Sequence, residues 1–375
     1  MFFEKFREAI ARLPDGLIRP GPPSTPEAIA AAELQVGVAL PQPLRDFLLS
    51  FDGADLFHEG IVIAGVGPDA VISLASLNAR ANGAVEPGAA ELIFAETALG
   101  DRFAFSSDVG SGSGAVLRLR AGSDERTLSG STFERWLAAM VAREKVLYGP
   151  DGEFAPDAFE PDGEEVTART ALRQAERALR QDPGSAEAEH ERGTALRRLG
   201  REREAIDALT AATRIDPANP WAWFDLGRLL LGAAGNAQRA IESFGRAAAL
   251  EVGPASARML AWAARAADAA GDATAATTAR REAVERHPQI ADDLRRAVAA
   301  AAAEDDEDAR HEAELLLGAL TGAAVATPTA TPRLRLPVVT EPTASAAPRP
   351  QPAARRHLPR AKPQRGGGSR RGSPR

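Results

Sequence analysis

Apolar positions in the first 150 residues change from helical spacing to short runs and then back to helical spacing. Phe2, Phe6 and Ile10 recur as on one face of a helix, and Thr25-Pro26 has the cap and proline of a second helix start. Ser131-Thr132-Phe133-Glu134 predicts a capping box that opens a closing helix. Between them, turn residues separate short β-prone runs at 61–63, 71–74, 91–94, 102–105, 115–119 and 126–128. We therefore expect an α+β domain of helices and an antiparallel sheet over residues 1–147.

The order of these motifs resembles the SUKH superfamily, the Smi/Knr-like domains. Three segments carry the resemblance: Ile29 to Gly53 with Leu40-Pro41, Gly100-Asp101 with Phe103-Ala104-Phe105, and Phe133-Glu134 with Trp136-Leu137. The glycine-rich segment 108–114 replaces the usual turn of the family. The resemblance implies a binding domain without catalysis, such as a bacterial immunity protein that blocks a toxin effector, or a scaffold.

A different pattern follows residues 148–164, which are rich in Pro, Gly, Asp and Glu and which we predict to be an extended linker. Small residues then recur at alternating steps of 7 and 5, as in Gly193, Gly200, Ala205, Ala212 and Pro217. Helices cross closely only where side chains are small, so this spacing predicts nested helical pairs. The pattern resembles the tetratricopeptide repeat (TPR). We expect all-α repeats over 165–288 and capping helices over 289–320.

The C-terminal residues differ from the rest in composition and charge. Residues 321–375 have no periodicity, and we predict that they form a disordered tail. The net charge is −7, but residues 331–375 hold eleven Lys and Arg against one acid, so the preceding residues carry −17. A basic tail suits non-specific contact with nucleic acid, a fold-back on the acidic body, or a solubility role. The candidate nucleic-acid contacts are Arg355, Arg356, Arg365, Arg370 and Arg371.

Composition argues against several kinds of chemistry. The chain has no cysteine, which excludes disulfides and thiolate metal sites and favours a cytoplasmic protein. The five histidines are scattered, and no apolar run is long enough for a membrane span. Gly65 and Gly67 form a G-x-G-x-x-A motif, but the strand-like run 71–74 follows where a nucleotide-binding site needs a helix. We interpret the motif as a turn and expect no enzyme activity, cofactor or metal.

The repeats provide the best candidate binding surface, because the resemblance implies that the first helix of each unit lines a concave face. Residues expected there are Glu187, His190, Thr194, Arg197, Trp221, Phe224, Arg228, Leu231, Arg258, Arg265 and Asp268. We select Arg197, Trp221, Phe224, Arg228 and Arg265 as a peptide groove, since arginines beside aromatic rings suit a peptide that carries carboxylates. The alternative is that the arginines are solvated and Trp221 packs on its neighbour. We expect replacement of Arg228 and Arg265 to weaken partner capture without lowering the melting temperature.

These patterns together predict an interaction protein with one partner on the SUKH-like domain, for instance a toxin effector, and a protein or peptide partner on the repeats. The alternative is an adaptor that binds nucleic acid through its arginine-rich tail.

Overall fold

The computed structural model describes residues 2–81, 91–106, 114–123, 125–161, 163, 165–232 and 236–322. Its N-terminal part alternates helices and short strands and closes with a long helix and a 3₁₀ turn at Lys145–Leu147. The elements are α1 (Phe2–Ile10), β1 (Ile18–Pro20), α2 (Pro26–Val36), α3 (Gln42–Leu48), β2 (Ala54–Leu56), β3 (Ile61–Ile63), α4 (Leu74–Ala81), β4 (Leu92–Thr97), β5 (Arg102–Phe105), β6 (Val116–Leu119), β7 (Arg126–Gly130) and α5 (Phe133–Glu144).

The strands form one antiparallel sheet in which spatial order equals sequence order, from β1 to β7. Each strand pairs with the next, as in the register Ile61 opposite Thr97 between β3 and β4. Phe94 and Phe103 point from the sheet into a core that also receives Phe133 and Trp136 from α5. The predicted α+β fold with an antiparallel sheet is confirmed.

The strand predicted at 71–74 is wrong. One isolated parallel bridge joins Ser73 to Gly65, and helix α4 begins at Leu74. The Ser73 hydroxyl accepts a hydrogen bond from the Ser76 amide at 3.1 Å, as an N-cap does, and this favours a helix over a strand. Farther along α4, the Asn78 side chain bonds both the amide and the carbonyl of Ile93, which fixes the helix against β4.

The G-x-G-x-x-A motif forms a turn that binds a side chain of the chain itself. The Val66 and Gly67 amides donate to the two carboxylate oxygens of Asp52, at 2.7 and 2.8 Å. A Cβ on Gly67 would lie 2.3 Å from an Asp52 carboxylate oxygen, so glycine is needed for this close approach. The backbone donors that a phosphate would use are therefore already bonded to Asp52.

In the predicted linker 148–164, the described residues 148–161 and 163 are not simply extended, contrary to the prediction. Tyr148 pairs with Phe154, and Phe159 pairs with Val166, in two isolated antiparallel bridges. The Tyr148 and Phe154 rings stack with centroids 4.8 Å apart, and Ala158 is fully buried. These apolar residues let the segment fold back on itself, despite its high content of Pro and Gly.

From residue 168 onward the chain is helical. The helices are α6 (Ala168–Gln181), α7 (Ala186–Arg198), α8 (Glu202–Ile215), α9 (Pro220–Gly232), α10 (Ala237–Leu250), α11 (Gly253–Ala270), α12 (Ala273–Arg286), α13 (Ile290–Ala303) and α14 (Glu307–Thr321). The pairs α7–α8, α9–α10 and α11–α12 pack closely within each unit. Small residues lie at their crossings: a Cβ on Gly193 would be 2.7 Å from Leu209 Cγ and 3.3 Å from the Ala205 carbonyl oxygen. The predicted repeat architecture is confirmed.

Gly227 provides a test of this packing. A Cβ on Gly227 would lie 2.8–3.0 Å from three ring atoms of the fully buried Phe244. We expect Gly227→Ala to lower the free energy of unfolding by about 1–3 kcal/mol, because the ring has no free space to move into. Urea denaturation followed by circular dichroism measures the change.

Gly232, in the same helix, is the matched control, because a Cβ there meets no atom within 4 Å. Gly232→Ala is expected to be neutral or to stabilise the protein by up to about 1 kcal/mol. Equal losses for the two variants would contradict the close crossing of α9 and α10.

Candidate functional site

Helix α5 belongs to both parts of the molecule. One face carries Phe133, Trp136 and Leu137 into the core beneath the sheet. Its other face carries Ala139, which is buried together with Ala178 of α6 and Ala188 of α7. Helix α5 packs along α6, and α6 packs along α7, so α5 extends the helical stack of the repeats. The closing helix of the α+β domain is therefore also the first helix of this stack.

The edge strand β7 is covered by residues from the boundaries between helices. Asp216 accepts a hydrogen bond from the Leu128 amide at 3.1 Å. The Ser185 hydroxyl donates to the Ser129 carbonyl at 2.7 Å. Asp182 accepts from the Ser131 amide at 2.6 Å and from its hydroxyl at 2.7 Å. The free edge of the sheet is thus satisfied within the chain, which blocks pairing of β7 with another strand.

These bonds correct the predicted capping box. Ser131 does not cap α5, because its amide and its hydroxyl both bond to Asp182. Thr132 is the N-cap, and its side chain accepts from the Arg135 amide at 3.2 Å. Two neighbouring hydroxyl residues made the choice ambiguous in the sequence, and the contact with Asp182 decides it.

A cluster of charges joins the sheet to helix α7, and we call Asp101, Arg118, Arg143, Glu187 and Glu191 the junction cluster. Arg118 bonds Asp101 at 2.5 Å and also pairs with Glu187. Arg143 of α5 lies 2.9 Å from Glu191 and 3.7 Å from Glu187. The Glu187 side chain is only 8% exposed, so its charge is compensated by two arginines and hardly by water.

Burial and charge act in opposite directions on the acids of the junction cluster. Burial raises the pKa of Glu187, but the charges of Arg118 and Arg143 outweigh it and lower that pKa to about 2. For Glu191, burial dominates and raises the pKa above its ordinary value. A small cavity of about 50 Å³ lies beside Glu187 and His190, enough for one or two water molecules.

The next contact joins α7 to α9, the first helices of two successive repeat units. The His190 ring lies 2.8 Å from Asp225. Burial opposes the charged form of His190, but the hydrogen bond to Asp225 raises its pKa overall. Burial would raise the pKa of Asp225, and the same bond lowers it. The hydrogen bond between His190 and Asp225 therefore links α7 to α9.

The five predicted groove residues lie in different environments. Phe224 is buried, and the half-buried Trp221 meets its ring edge-on with centroids 6.0 Å apart. Arg228 is buried, with its guanidinium 5.0 Å from the centre of the Trp262 ring. Arg197 and Arg265 are half-buried and have no ion pair within the described part of the chain. Burial lowers the pKa of both of these arginines.

The burial of Arg228 changes the effect that we expect its replacement to have on the melting temperature. Its Nη2 lies 3.4 Å from Glu312 of helix α14, and the two side chains are 3% and 8% exposed. Replacing Arg228 would leave the buried Glu312 with only Arg258, at 4.0 Å, among the described residues, so a lower melting temperature is expected, contrary to the prediction from the sequence. Arg197 and Arg265 are better positions to test the groove without loss of stability.

Several important residues were not predicted. Glu312 and Trp262 were missed as neighbours of Arg228, and Arg118 and Arg143 as partners of Glu187. In the sequence, these contacts were indicated only by Glu312 on a predicted capping helix and by Trp262 on a predicted repeat helix. The tail arginines Arg355, Arg356, Arg365, Arg370 and Arg371 lie outside the described residues.

Two further observations concern other kinds of site. Within the ranges that the structure describes, no three His, Asp or Glu side chains are grouped as metal ligands. None of the helices in those ranges has both the length and the apolar character needed to cross a membrane.

Several solved structures match part of this chain at low sequence identity and low TM-score. The crystal structure of MamA matches at 20% identity and a TM-score of 0.31, over 42% of this chain and 88% of that one. A MamA structure from Desulfovibrio magneticus RS-1 matches at 18% identity and a TM-score of 0.29, over 42% and 88%. YrrB, described as a TPR protein with an unusual peptide-binding site, matches at 19% identity and a TM-score of 0.30, over 41% and 78%.

Family models match both parts of the chain, whereas no match was found among curated proteins. Residues 23–139 match the SMI1/KNR4 family (SUKH-1). Residues 168–220 and 190–248 match the tetratricopeptide repeat. The chain therefore carries a SUKH-1 domain of the SMI1/KNR4 family, followed by tetratricopeptide repeats.

Proposed function

We propose that this protein is a non-enzymatic interaction protein in which the SUKH domain binds one protein partner and the repeats bind another. The observation that carries the proposal is that Arg197 of α7 and Arg265 of α11 are half-buried and have no ion pair among the described residues. Stacks of this kind present extended concave surfaces for binding. Half-buried guanidinium groups without a carboxylate favour a partner that supplies one.

The SUKH domain adds a second surface to the same body. Its β7 edge is closed by Asp182, Ser185 and Asp216, so the β7 edge is not the proposed contact. A partner of the SUKH domain would bind the surfaces away from the repeats, which leaves the repeats to a separate partner. More specifically, the partner of the SUKH domain in this proposal is a toxin effector, and the protein acts as an immunity protein. A scaffold role differs from this only in the identity of the captured partner.

A groove variant tests the proposal. We expect Arg197→Ala with Arg265→Ala to weaken the affinity for the repeat-bound partner at least about tenfold, because each charge-assisted hydrogen bond contributes more than an ordinary one. The full-length protein captures partners from a lysate of its source cells, and mass spectrometry identifies them. Binding constants are then measured with each purified partner. The melting temperature should not fall, because neither arginine is ion-paired in the described residues.

Arg203→Ala is the control, since Arg203 is exposed on α8, the second helix of its unit. This variant should bind as the wild type does. Equal weakening by the control would mean that total charge governs binding, and failure of the wild type to retain any protein would refute the proposal.

A further inference from the structure

The last helix places a carboxylate on the concave face of the repeats. Glu312 of α14 lies 3.4 Å from Arg228 Nη2 and 4.0 Å from Arg258 Nη2. Arg228 belongs to α9 and Arg258 to α11, the first helices of two successive units. Helix α14 packs along α11, so the chain itself occupies part of the surface that a peptide would use.

Arg228 is incompletely satisfied in this arrangement. Its Nε and Nη1 are buried and have no hydrogen-bond partner. Its only polar contact in the described residues is the one to Glu312, and 3.4 Å is longer than the 2.7–2.9 Å usual for a charged pair. The guanidinium is held over the Trp262 ring at 5.0 Å and the Phe224 ring at 5.7 Å. The group is therefore fixed in place, with donors left for a carboxylate that approaches more closely than Glu312 does.

Positive charge exceeds negative charge around this contact. Asp225 is bonded to His190, and Asp268 is bonded to Arg280. Arg197 has no ion pair in the described residues, and burial lowers its pKa, although the charge of Asp225 acts in the opposite direction. Glu312 is thus the one acid in contact with Arg228 and Arg258 in the part of the chain that the structure describes.

Helix α14, which carries Glu312, packs on α11 less extensively than α12 does. Helix α13 packs mainly on α14, and few of its residues are buried. Helix α14 contributes one fully buried side chain, Leu316, to the core of the repeats, with Leu317 and Leu320 partly buried against that core. Helix α13 adds Ile290 and Leu294 to the same core, and Arg280 Nε of α12 donates to the Ala319 carbonyl at 2.6 Å, so release of α14 must also break these contacts.

We propose that Glu312 is an internal substitute for a ligand carboxylate, and that an acidic peptide binds Arg228 by replacing Glu312 and displacing helix α14. This inference rests on the proposed function, because it names the ligand class and the regulation of the same groove. Binding of the acidic peptide is then coupled to release of α14. Affinity is lowered by the fraction of molecules in which α14 occupies the site.

Neutral variants of two glutamates on α14 test the competition. The probe is fluorescein-labelled hexaglutamate, and anisotropy measures its binding to the full-length protein. We expect Glu312→Gln to bind the probe about tenfold more tightly than the wild type, because the internal competitor has lost its charge. Glu314→Gln changes the net charge equally on the exposed side of the same helix, and it should change affinity less than about twofold.

Replacing Arg228 tests whether the gain in affinity arises at this site or elsewhere in the chain. The double variant Glu312→Gln with Arg228→Gln should lose the gain, whereas any binding to the basic tail is the same in every variant. Equal gains for Glu312→Gln and Glu314→Gln would refute the inference, and so would a gain that survives the loss of Arg228.

Hydrogen exchange on the wild type gives a readout that does not depend on folding of the variants. Bound hexaglutamate should raise exchange across residues 307–321, since α14 leaves its site. Unchanged or slower exchange in this helix would overturn the displacement. Capture of natural partners that persists after such a result would leave the proposed function standing, and only the role of Glu312 would fall.

Discussion

Glu187→Ala is expected to lower the free energy of unfolding by about 3–5 kcal/mol, because it removes an enclosed carboxylate that pairs with two half-buried arginines. Arg118 loses one of its two carboxylates, and Arg143 keeps only Glu144 and Glu191. The Glu187 side chain is almost fully enclosed, so water replaces little of the lost interaction. Urea denaturation at neutral pH, followed by circular dichroism, measures the loss. Glu202→Ala on the exposed face of α8 is the control and should change stability by less than about 0.5 kcal/mol.

The pH dependence of this loss of stability tests whether the charge of Glu187 is its cause. The pKa of Glu187 is about 2 in the folded protein against an ordinary value of 4.5. A lowered pKa stabilises the fold above pH 4.5, and this contribution disappears as the pH falls towards 2. The difference between wild type and Glu187→Ala should therefore be about 1 kcal/mol smaller at pH 4 than at pH 7. A difference that does not change with pH would mean that packing, and not charge, is lost at this position.

The helical repeats were predictable because their signal is periodic. Gly193 and Gly227 must be small, since each lies against a large side chain of the paired helix, and this constraint recurs in every unit. Short strands gave a weaker signal. The run 71–74 has β-prone residues, but the cap at Ser73 and the bonds of Asn78 to Ile93 make the following residues helical. Local composition does not reveal a bond between residues 15 positions apart.

The candidate site was predictable only in part, for the same reason. The repeat pattern predicts that Glu187 and Arg228 lie on the concave face, but their partners come from distant segments. Arg118 precedes Glu187 by 69 positions, and Glu312 follows Arg228 by 84. A single sequence contains no signal for such pairs, so two residues expected to face a ligand are instead bonded within the chain.

These long-range bonds make the two parts of the chain interdependent. The sheet edge β7, the helix α5 and the junction cluster each join the SUKH domain to the first repeat helices. A partner that binds either part therefore binds the same folded unit. The most direct test removes a large side chain on one side and monitors unfolding on the other.

Trp136→Ala is expected to lower the free energy of unfolding by about 3–5 kcal/mol, as truncation of a buried aromatic residue usually does. Trp136 is fully buried, with its ring centroid 5.0 Å from those of both Phe94 and Phe103. Gly130 packs so closely that a Cβ there would lie 2.4 Å from Trp136 Cβ. Leu34→Ala in the same domain is the control, because Leu34 is largely exposed and its loss should cost less than about 0.5 kcal/mol.

The variant also supplies its own probe of the repeats. The chain has four tryptophans, and after Trp136→Ala the remaining three, Trp221, Trp223 and Trp262, all lie in α9 and α11. Tryptophan fluorescence of the variant therefore reports on the repeats alone, while circular dichroism reports on the whole fold. Because α5 packs on both parts, we expect both signals to shift to the same lower urea midpoint. A fluorescence midpoint equal to that of the wild type, with a lower midpoint by circular dichroism, would show that the repeats fold independently of the SUKH domain.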